Sequence, residues 1–372
     1  MSQFITSFGR AIPFVPGYKA AHTFQSARDV LYGDGDTSYK VSSYGFLKDV
    51  FEAMYFLDFL TRAGHSASLG SLLDLGGEEG TVARLLRMSG RAEKGTCLDF
   101  RDLSGCLPTD LFVKYVNQFD AERAAILSGK AQQKYEMLAS FPALHKEFDY
   151  NPFVGRAFHE TRFQSSPELD EFLCLDYYTL NRKFDTITAF LCAAWFDFEL
   201  LISKASECLN PGGIFFMLND YFWWPINSTA VFGDFPYASQ RLIRDDLHRY
   251  FKTFHPHEAE DVMIRYDHFH MGKIHPTLSD FIAAAKRHGF DVLRVERLMP
   301  SSTNAVRTPF APPLLQKVKP NPLLDVLDDI HEFRKDVVME DLMTSFVAMA
   351  FRKESGPAIG IADLARHARP FP

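Results

Sequence analysis

The sequence SLLDLGGEEGTVARLL, residues 71–86, contains the pattern that decides the fold. The short apolar run 72–75 predicts a buried strand, because it stops at a pair of glycines. Gly76 and Gly77 permit a tight turn and the close approach of a ligand to the backbone. Apolar residues then recur at helical spacing up to Gly90, which indicates a helix of about three turns. A strand, a glycine turn and a helix start in this order are typical of a nucleotide site at the carboxyl edge of an α/β sheet.

The acidic residues around this turn indicate which nucleotide it takes. Asp74 precedes the turn, and Glu78 and Glu79 stand in the first turn of the helix. Three carboxylates at a helix start would repel the pyrophosphate of NAD or FAD. A ligand that carries positive charge and no phosphate fits better, which disfavours a dinucleotide oxidoreductase built on a similar sheet.

A second acidic residue stands at the end of the next predicted strand. The sequence GTCLDF, residues 95–100, reads as that strand, and Asp99 follows Asp74 by 25 positions. A carboxylate in this position can accept hydrogen bonds from both ribose hydroxyls of a nucleotide. The alternative is that Asp99 merely caps a turn.

The glycine turn resembles motif I of the class I S-adenosylmethionine (SAM)-dependent methyltransferases, an acidic residue followed by three glycines at alternate positions. Asp74, Gly76 and Gly80 match this motif, and Glu78 replaces the middle glycine. The order helix, LNPGG at residues 209–213 and strand is also typical of this family. The resemblance implies SAM as the cofactor. It also implies an α/β fold with a Rossmann-like seven-stranded sheet, whose last strand inserts antiparallel, a helical N-terminal lid and two insertions.

The pattern of elements predicts one main domain with additions. We expect an N-terminal arm and helical lid at 1–68, a SAM-binding domain at 69–355 and a tail at 356–372. Insertions at 101–168 and 300–344 interrupt the domain. The first insertion is interpreted as a roof over the substrate side of the sheet. A dimerisation arm is the alternative, which leaves a homodimer open.

Hydrophobic periodicity places the other elements of this arrangement. It predicts helices at 44–63, 111–140, 199–209 and 278–288, and strands at 171–176, 184–191, 214–218, 290–298 and 345–353.

The composition limits the function classes. The chain has 372 residues, is 47% hydrophobic and carries a formal net charge of −7. An acidic chain disfavours nucleic acid as a partner, because binding the phosphate backbone needs a clustered cationic surface. The longest apolar run, TAFLCAAWF, has nine residues and is too short to span a membrane. The five cysteines lack CxxC spacing and no secretory signal is evident, so we expect reduced, buried cysteines in a cytoplasmic protein.

The resemblance assigns cofactor contacts to residues at the carboxyl ends of the strands. Asp176 would accept the adenine amino group, Tyr177 would offer a ring face, and Phe190 would lie near the sulfonium. The expected cofactor-binding residues are Asp74, Gly76, Gly77, Gly80, Asp99, Phe100, Asp176, Tyr177 and Phe190.

The substrate is expected between an aromatic-rich segment, residues 220–277, and the N-terminal lid. Aromatic faces attract a sulfonium and exclude water, although such residues also build ordinary cores. The candidate substrate-contacting residues are Tyr39, Tyr44, Trp195, Asn219, Tyr221, Trp223 and Trp224.

Histidines in the same segment suggest a general base. His268 and His270, if they lie on a strand, share one face and either could remove a proton from an oxygen or nitrogen acceptor. Asp220, at a strand end, is the third catalytic candidate. A metal pair is the alternative use of these histidines, but spacing places no third ligand, so no metal is expected.

The function that this sequence indicates is methyl transfer from SAM to an oxygen or nitrogen of a small molecule, in specialised metabolism. Two alternatives stay open. The site could fold SAM back on itself and cyclise it to a small-ring amino acid with release of methylthioadenosine. The chain could also be a non-catalytic protein that keeps the fold, which the replacement of the middle glycine by Glu78 suggests.

Overall fold

The computed structural model describes residues 3–19, 43–65, 67–117, 167–193, 196–221, 223, 233–270, 276–298, 322–344 and 346–354. Two short strands, β1 (Gln3–Ile5) and β2 (Ala11–Pro13), form an antiparallel hairpin. The central sheet contains β3 (Gly70–Leu75), β4 (Ala92–Asp99), β5 (Glu171–Cys174), β6 (Phe184–Phe190), β7 (Leu209–Asp220), β8 (Phe290–Leu298) and β9 (Phe346–Lys353).

The strand order of the central sheet confirms the predicted architecture. The order is β5-β4-β3-β6-β7-β9-β8. The strands from β3 to β7 pair in parallel, whereas β9 pairs antiparallel with both β7 and β8. This is the inserted last strand that the resemblance implied. The chain crosses from one side of β3 to the other when it passes from β5 to β6, so a topological switch point lies between the carboxyl ends of β3 and β6.

The helices predicted at 44–63, 199–209 and 278–288 agree with the structure to within one residue at each end. The expectation that Glu78 and Glu79 stand in the first turn of the next helix is wrong, because that helix begins at Thr81, after its N-cap residue Gly80. Among these helices, none combines the length and the apolar character that crossing a membrane requires. Their bounds are α1 (Ser43–Arg62), α2 (Thr81–Met88), α3 (Phe198–Cys208), α4 (Ala238–Arg241), α5 (Arg244–Phe254), α6 (Ala259–His270), α7 (Leu278–Arg287), α8 (Pro322–Ile330) and α9 (Met339–Met343).

Alternating side chains of the sheet build two hydrophobic layers. On β7, Phe215 and Met217 pack beneath α3, α7 and α8, whereas Phe216 and Leu218 pack beneath α1 and α2. The alternation follows from the two-residue period of a strand. Both faces of the sheet are therefore covered, which leaves its edges as the places where polar side chains can gather.

A third hydrophobic cluster lies beside the sheet and joins the hairpin to α4, α5 and α6. Phe4 and Ile12 of the hairpin are buried in it. Asp246 of α5 accepts hydrogen bonds from the Ser7 backbone N–H at 2.8 Å and from the Ser7 hydroxyl at 2.9 Å. The N-terminal arm is thus fixed to the helices that follow β7.

Two predicted features differ from the structure or lie outside it. The NPGG segment, 210–213, is predicted as a turn before a strand but lies within the bounds of β7, where the pairing with β6 skips from Leu209 to Ile214. The predicted helix 111–140 is seen as a helix over 109–117, and its remainder lies outside the described residues. The same is true of the Pro-rich half of the second insertion and of the tail.

Candidate functional site

The glycine turn lies at the switch point of the sheet, directly after β3. Gly76 has φ +66° and donates its N–H to the Leu98 carbonyl at 2.7 Å. A Cβ on Gly76 would lie 2.8 Å from the Cys192 Cβ, and one on Gly77 would lie 2.5 Å from Asp74 Oδ2. Both positions therefore require glycine. Gly80, with φ +80°, is the N-cap residue of α2.

Glu78 adopts a glycine-like backbone conformation at the position where motif I has its middle glycine. Its φ is +49°, in the left-handed region that side chains disfavour. At Glu78 the turn therefore has a backbone conformation that glycine adopts without strain. Strained backbone of this kind concentrates at functional sites.

Four buried carboxylates occupy this edge of the protein. Asp74 and Glu79 flank the turn, Asp99 ends β4, and Glu52 comes from α1; each is 4% exposed or less. Burial, together with the charges of Asp74, Asp99 and Glu52, raises the pKa of the Cys192 thiol. The carboxylates are thus close enough to Cys192 to act on the same group, and the edge is strongly negative.

Each carboxylate of the turn has a hydrogen-bond partner. Thr188 Oγ1 donates to Asp74 Oδ1 at 2.9 Å, and Thr81 Oγ1 donates to Glu79 Oε1 at 3.0 Å. Arg101 donates its backbone N–H to Asp99 Oδ1 at 2.9 Å. These contacts hold Asp74, Glu79 and Asp99 in place near the switch point.

Two thiols border the glycine turn. Cys192 Sγ lies 3.1 Å from the Leu75 carbonyl oxygen, and Cys97 Sγ lies 3.7 Å from that of Glu78. Burial and the nearby carboxylates raise the pKa of Cys97, so the thiol stays protonated and acts as an apolar filler. The expectation that all five cysteines are buried is wrong, because Cys174 is exposed and Cys106 is partly exposed.

The predicted adenine contacts divide between the surface and the core. Phe100 is 72% exposed beside Asp99. Asp176 is at the surface and accepts the Tyr178 N–H at 3.0 Å, which caps a short 3₁₀ helix over Tyr177–Thr179. Tyr177 itself is 2% exposed and packs in the core, with its ring edge against Phe196. The structure thus places the Tyr177 ring below the sheet edge and not on it.

The end of β6 lies opposite the turn. Phe190 is buried against Phe56 and Phe216, with ring centroids 6.3 and 5.5 Å away. Leu191 follows with φ +52° and donates its N–H to the Leu218 carbonyl at 2.7 Å. A second non-glycine residue in the left-handed region therefore stands at the end of β6, the strand next to β3.

The described candidates for substrate contact are buried. The Tyr221 hydroxyl donates to Asp341 Oδ1 at 2.6 Å and accepts the Leu278 N–H at 2.8 Å. Trp223 is covered by the Arg334 guanidinium, 5.7 Å from its ring. Tyr221 and Asn219 border a small cavity whose other lining residues are Ala193, Met217, Phe281, Val347 and Met349.

Several predicted residues cannot be placed in the site. Tyr39, Trp195 and Trp224 lie outside the described residues. Tyr44 belongs to α1, but its side chain is not described. Asp220 is the last residue of β7, and its side chain is likewise not described.

The prediction that His268 and His270 lie on a strand is wrong. Both belong to the last turn of α6, where positions two residues apart are separated by about 200° around the helix axis. The two histidines therefore do not share a face. Among the described residues, no group of three or more His, Cys, Asp or Glu side chains could hold a metal ion.

Sequence analysis missed Glu52 as a site residue. The stretch VFEAMYFL, residues 50–57, has one charged residue inside an apolar helical run. This isolated charge was the feature of the sequence that could have indicated a buried site residue. A charge is rarely buried without a role. The helix α1 brings this carboxylate from the predicted lid to the switch point.

Comparisons with known proteins found similarity to solved structures alone. No protein-family model matches the sequence, and no curated protein matches it significantly. One similar solved structure is a putative sarcosine dimethylglycine methyltransferase from Galdieria sulphuraria. It is 11% identical to this chain, the match covers 90% of this chain and 98% of that one, and the TM-score is 0.41. A geranyl diphosphate C-methyltransferase from Streptomyces coelicolor A3(2) has 11% identity over 91% and 89%, with a TM-score of 0.38. The [4+2]-cyclase SpnF has 14% identity over 87% and 86%, with a TM-score of 0.35. By its own strand order, with β9 inserted antiparallel between β7 and β8, this chain has the fold of the class I SAM-dependent methyltransferases.

Proposed function

We propose that this protein binds SAM at the carboxyl edge of its sheet and transfers the methyl group to an oxygen or nitrogen of a small molecule. The observation that supports this most is the set of buried carboxylates around a glycine turn at a topological switch point. Ligands of open α/β sheets bind in such a crevice. The charge at this crevice favours a cation over a pyrophosphate.

The residues present fit the chemical groups of SAM. The Asp99 carboxylate would accept hydrogen bonds from the ribose hydroxyls, and the bare backbone of Gly76 and Gly77 would allow close approach of the ligand. Asp74 and Glu52 would balance the positive charge of the ammonium and sulfonium groups. Phe100, which is exposed beside Asp99, would offer a face to the adenine ring.

The chemistry then depends on position and on exclusion of water. SAM supplies a methyl group that is already activated by the sulfonium. The protein therefore has to hold the acceptor in line with the methyl and to keep the site dry, and proximity of this kind supplies much of a rate enhancement. Apolar groups at the end of β6, such as Phe190, would restrict access of water to the methyl position.

An acceptor hydroxyl or amine must also lose a proton. His268, His270 and Asp220 remain our proposed bases, and since the two histidines do not share a helix face, at most one of them would act on a given acceptor. Substitution of each residue separately by Ala or Asn, followed by pH–rate profiles, distinguishes the three. The residue whose loss removes the ascending limb of the profile is the base.

A small-molecule acceptor is supported by the net charge of −7, which disfavours a nucleic-acid substrate. The first experiment is calorimetry of the purified protein with SAM, S-adenosylhomocysteine and NADH. We expect micromolar binding of the first two and none of NADH. Binding of NADH alone would refute the proposal, and the absence of all binding would favour a non-catalytic protein.

The second experiment separates methyl transfer from consumption of SAM itself. The protein is incubated with SAM alone and with SAM plus a set of hydroxyl and amine acceptors, and the nucleosides are identified by mass spectrometry. S-adenosylhomocysteine that forms only with an acceptor supports methyl transfer. Enzyme-dependent methylthioadenosine from SAM alone supports cyclisation instead.

A further inference from the structure

A bridge of three side chains crosses the gap between the glycine turn and the end of β4. Arg101 donates its backbone N–H to Asp99 Oδ1 at 2.9 Å and its Nε–H to the same oxygen at 3.4 Å. The Nη2 atom of Arg101 lies 3.8 Å from Glu78 Oε1. Glu78 belongs to the turn and Asp99 ends β4, so the Arg101 guanidinium lies across the gap through which a ligand reaches Asp99.

The three members of this bridge differ in freedom. The Asp99 side chain is 4% exposed, whereas those of Arg101 and Glu78 are 43% and 38% exposed. The Arg101 guanidinium lies 5.2 Å from the ring of Phe100, which is itself at the surface. The exposed Arg101 side chain can therefore turn towards solvent along the Phe100 ring, whereas the Asp99 side chain is held in the protein interior.

The contacts of the Arg101 guanidinium with Glu78 and Asp99 are of the weak kind. The distance to Glu78 is long for an ion pair, and the Nε–H bond to Asp99 is at the long end of hydrogen-bond distances. Exposed arginine–carboxylate pairs change equilibria by small factors. A ligand that offers two hydroxyl donors to the Asp99 carboxylate could displace the guanidinium.

We propose that Arg101 is a latch on the nucleotide site: its guanidinium binds Asp99 in the free protein and yields that carboxylate to the ribose hydroxyls of the cofactor. This inference rests on the proposed function. The latch makes Arg101 a specificity-determining residue. A ligand without ribose hydroxyls cannot form the hydrogen bonds to Asp99 that would compensate for the lost contacts of Arg101.

The test compares Arg101→Ala with Arg182→Ala in calorimetric titrations with SAM and with S-adenosylhomocysteine. Arg182 is a matched control at the amino end of the strands. It pairs with Glu171 at 2.5 Å, the two side chains are 48% and 39% exposed, and its guanidinium lies 5.4 Å from the Phe184 ring. The two arginines share partial exposure, a carboxylate partner and a nearby aromatic ring, but Arg182 lies at the opposite edge of the sheet from Asp99.

We expect Arg101→Ala to lower the dissociation constants of both ligands by about two- to fivefold, and Arg182→Ala to leave them unchanged. Equal effects on SAM and S-adenosylhomocysteine indicate competition for Asp99, since the ribose is common to both. A gain for SAM alone would mean that Arg101 acts only through its charge and would overturn the latch. Weaker binding by Arg101→Ala would show that Arg101 is itself a ligand contact.

The outcome for the wild-type protein keeps the two hypotheses apart. If the wild type binds SAM and Arg101→Ala binds no more tightly, only the latch is refuted. If the wild type binds neither ligand, the proposed function fails and the latch fails with it. A double-mutant cycle of Arg101→Ala with Glu78→Gln adds a further check, because coupled members of one bridge give non-additive changes.

Discussion

The two edges of the central sheet both carry acidic side chains, but they use them differently. At the amino edge, Asp185 Oδ2 accepts the Ser71 N–H at 2.9 Å and the Ser71 hydroxyl at 2.7 Å. Its other oxygen accepts the Asn210 amide at 2.7 Å. Partial burial alone would raise the pKa of Asp185, but these hydrogen bonds bring it below the ordinary value.

At the carboxyl edge, the carboxylates converge. Asp74, Asp99 and Glu52 all raise the pKa of the Cys192 thiol, and Arg101, whose side chain is half-exposed, lies 3.4 Å from Asp99. At one edge, neutral donors satisfy a single carboxylate and join the strands, whereas at the other edge several carboxylates lie close together. The difference suggests that carboxylates at the amino edge serve stability and those at the carboxyl edge serve a ligand.

The strongest test of this division is Asp99→Ala. We expect it to weaken SAM binding roughly 10- to 100-fold, because hydrogen bonds to a charged group contribute about 1.5–3 kcal/mol each. The loss should exceed that from any aromatic substitution in 221–237. Calorimetry measures the affinities, and denaturant unfolding should show a smaller change in stability. Asp99→Ala that binds SAM like the wild type would show that Asp99 does not hold the ribose.

The opposite pattern is expected for Asp185→Ala. It leaves the Ser71 N–H and the Asn210 amide without their acceptor, so the free energy of unfolding should fall by about 2 kcal/mol. The SAM dissociation constant, measured under folding conditions, should stay within about twofold of the wild type. A large loss of affinity with unchanged stability would contradict the division between the edges.

Measuring stability against pH tests whether a carboxylate that is paired within the fold contributes to stability, as Asp185 does at the amino edge. Glu199 of α3 accepts hydrogen bonds from His288 at 3.0 Å and from the Arg287 Nε–H at 3.1 Å. Partial burial raises the pKa of Glu199, but the hydrogen bonds and charges of His288 and Arg287 outweigh it and lower the pKa to about 2.

The sign of the pH effect follows from this lowered pKa. Glu199 stabilises the fold fully above its ordinary pKa of 4.5, and the contribution is lost as pH falls from 4.5 towards about 2. Glu199→Gln should therefore lose about 1–2 kcal/mol at pH 7, after allowance for solvent screening, and progressively less below pH 4.5. Denaturant unfolding at pH 7 and 3.5 measures this.

Glu171→Gln, which breaks an exposed pair with Arg182, should change the free energy of unfolding by less than about 0.5 kcal/mol at either pH. A deficit of Glu199→Gln that does not shrink at pH 3.5 would contradict the assignment.

The smallest expected effect concerns the backbone of the carboxyl edge. Glu78→Gly should raise the free energy of unfolding by about 0.5–1 kcal/mol, since glycine adopts φ +49° without strain. Gly80→Ala is the matched control and should lower the free energy of unfolding. A φ of +80° is strained for alanine, and its Cβ would lie 3.0 Å from Leu169. Destabilisation by Glu78→Gly would mean that the Glu78 side chain stabilises the turn more than its conformation strains it.

Sequence reasoning found the sheet because local patterns specify it. Strand β8 has the predicted bounds, since its apolar run begins directly after Gly289. The turn at Gly76 and Gly77 was found for the same reason. Burial of particular side chains was harder to predict, because it depends on contacts distant in the chain. Tyr177 follows an exposed strand end but packs in the core. Glu52 has the sequence context of a polar position on an amphipathic helix, but its side chain is fully buried.

The error at His268 and His270 has a different physical origin. The pattern His-Phe-His alternates as a strand would, but helical residues precede it, and Glu260 and Asp261 in the first turn favour the start of a helix. A two-residue alternation over three positions is too short to outweigh the helix around it. The positions of these side chains relative to the sheet therefore could not be derived from spacing.

The place of β9 in the sheet has a consequence for how the protein is made. Strand β9 joins β7 to β8, yet it leaves the ribosome more than a hundred residues after β7, which at cellular rates is on the order of ten seconds later. During that time the edge of β7 has no partner, and an unpaired apolar edge invites association between chains. Nascent chains halted before residue 346 should therefore bind chaperones or aggregate, whereas release after residue 353 allows the sheet to close.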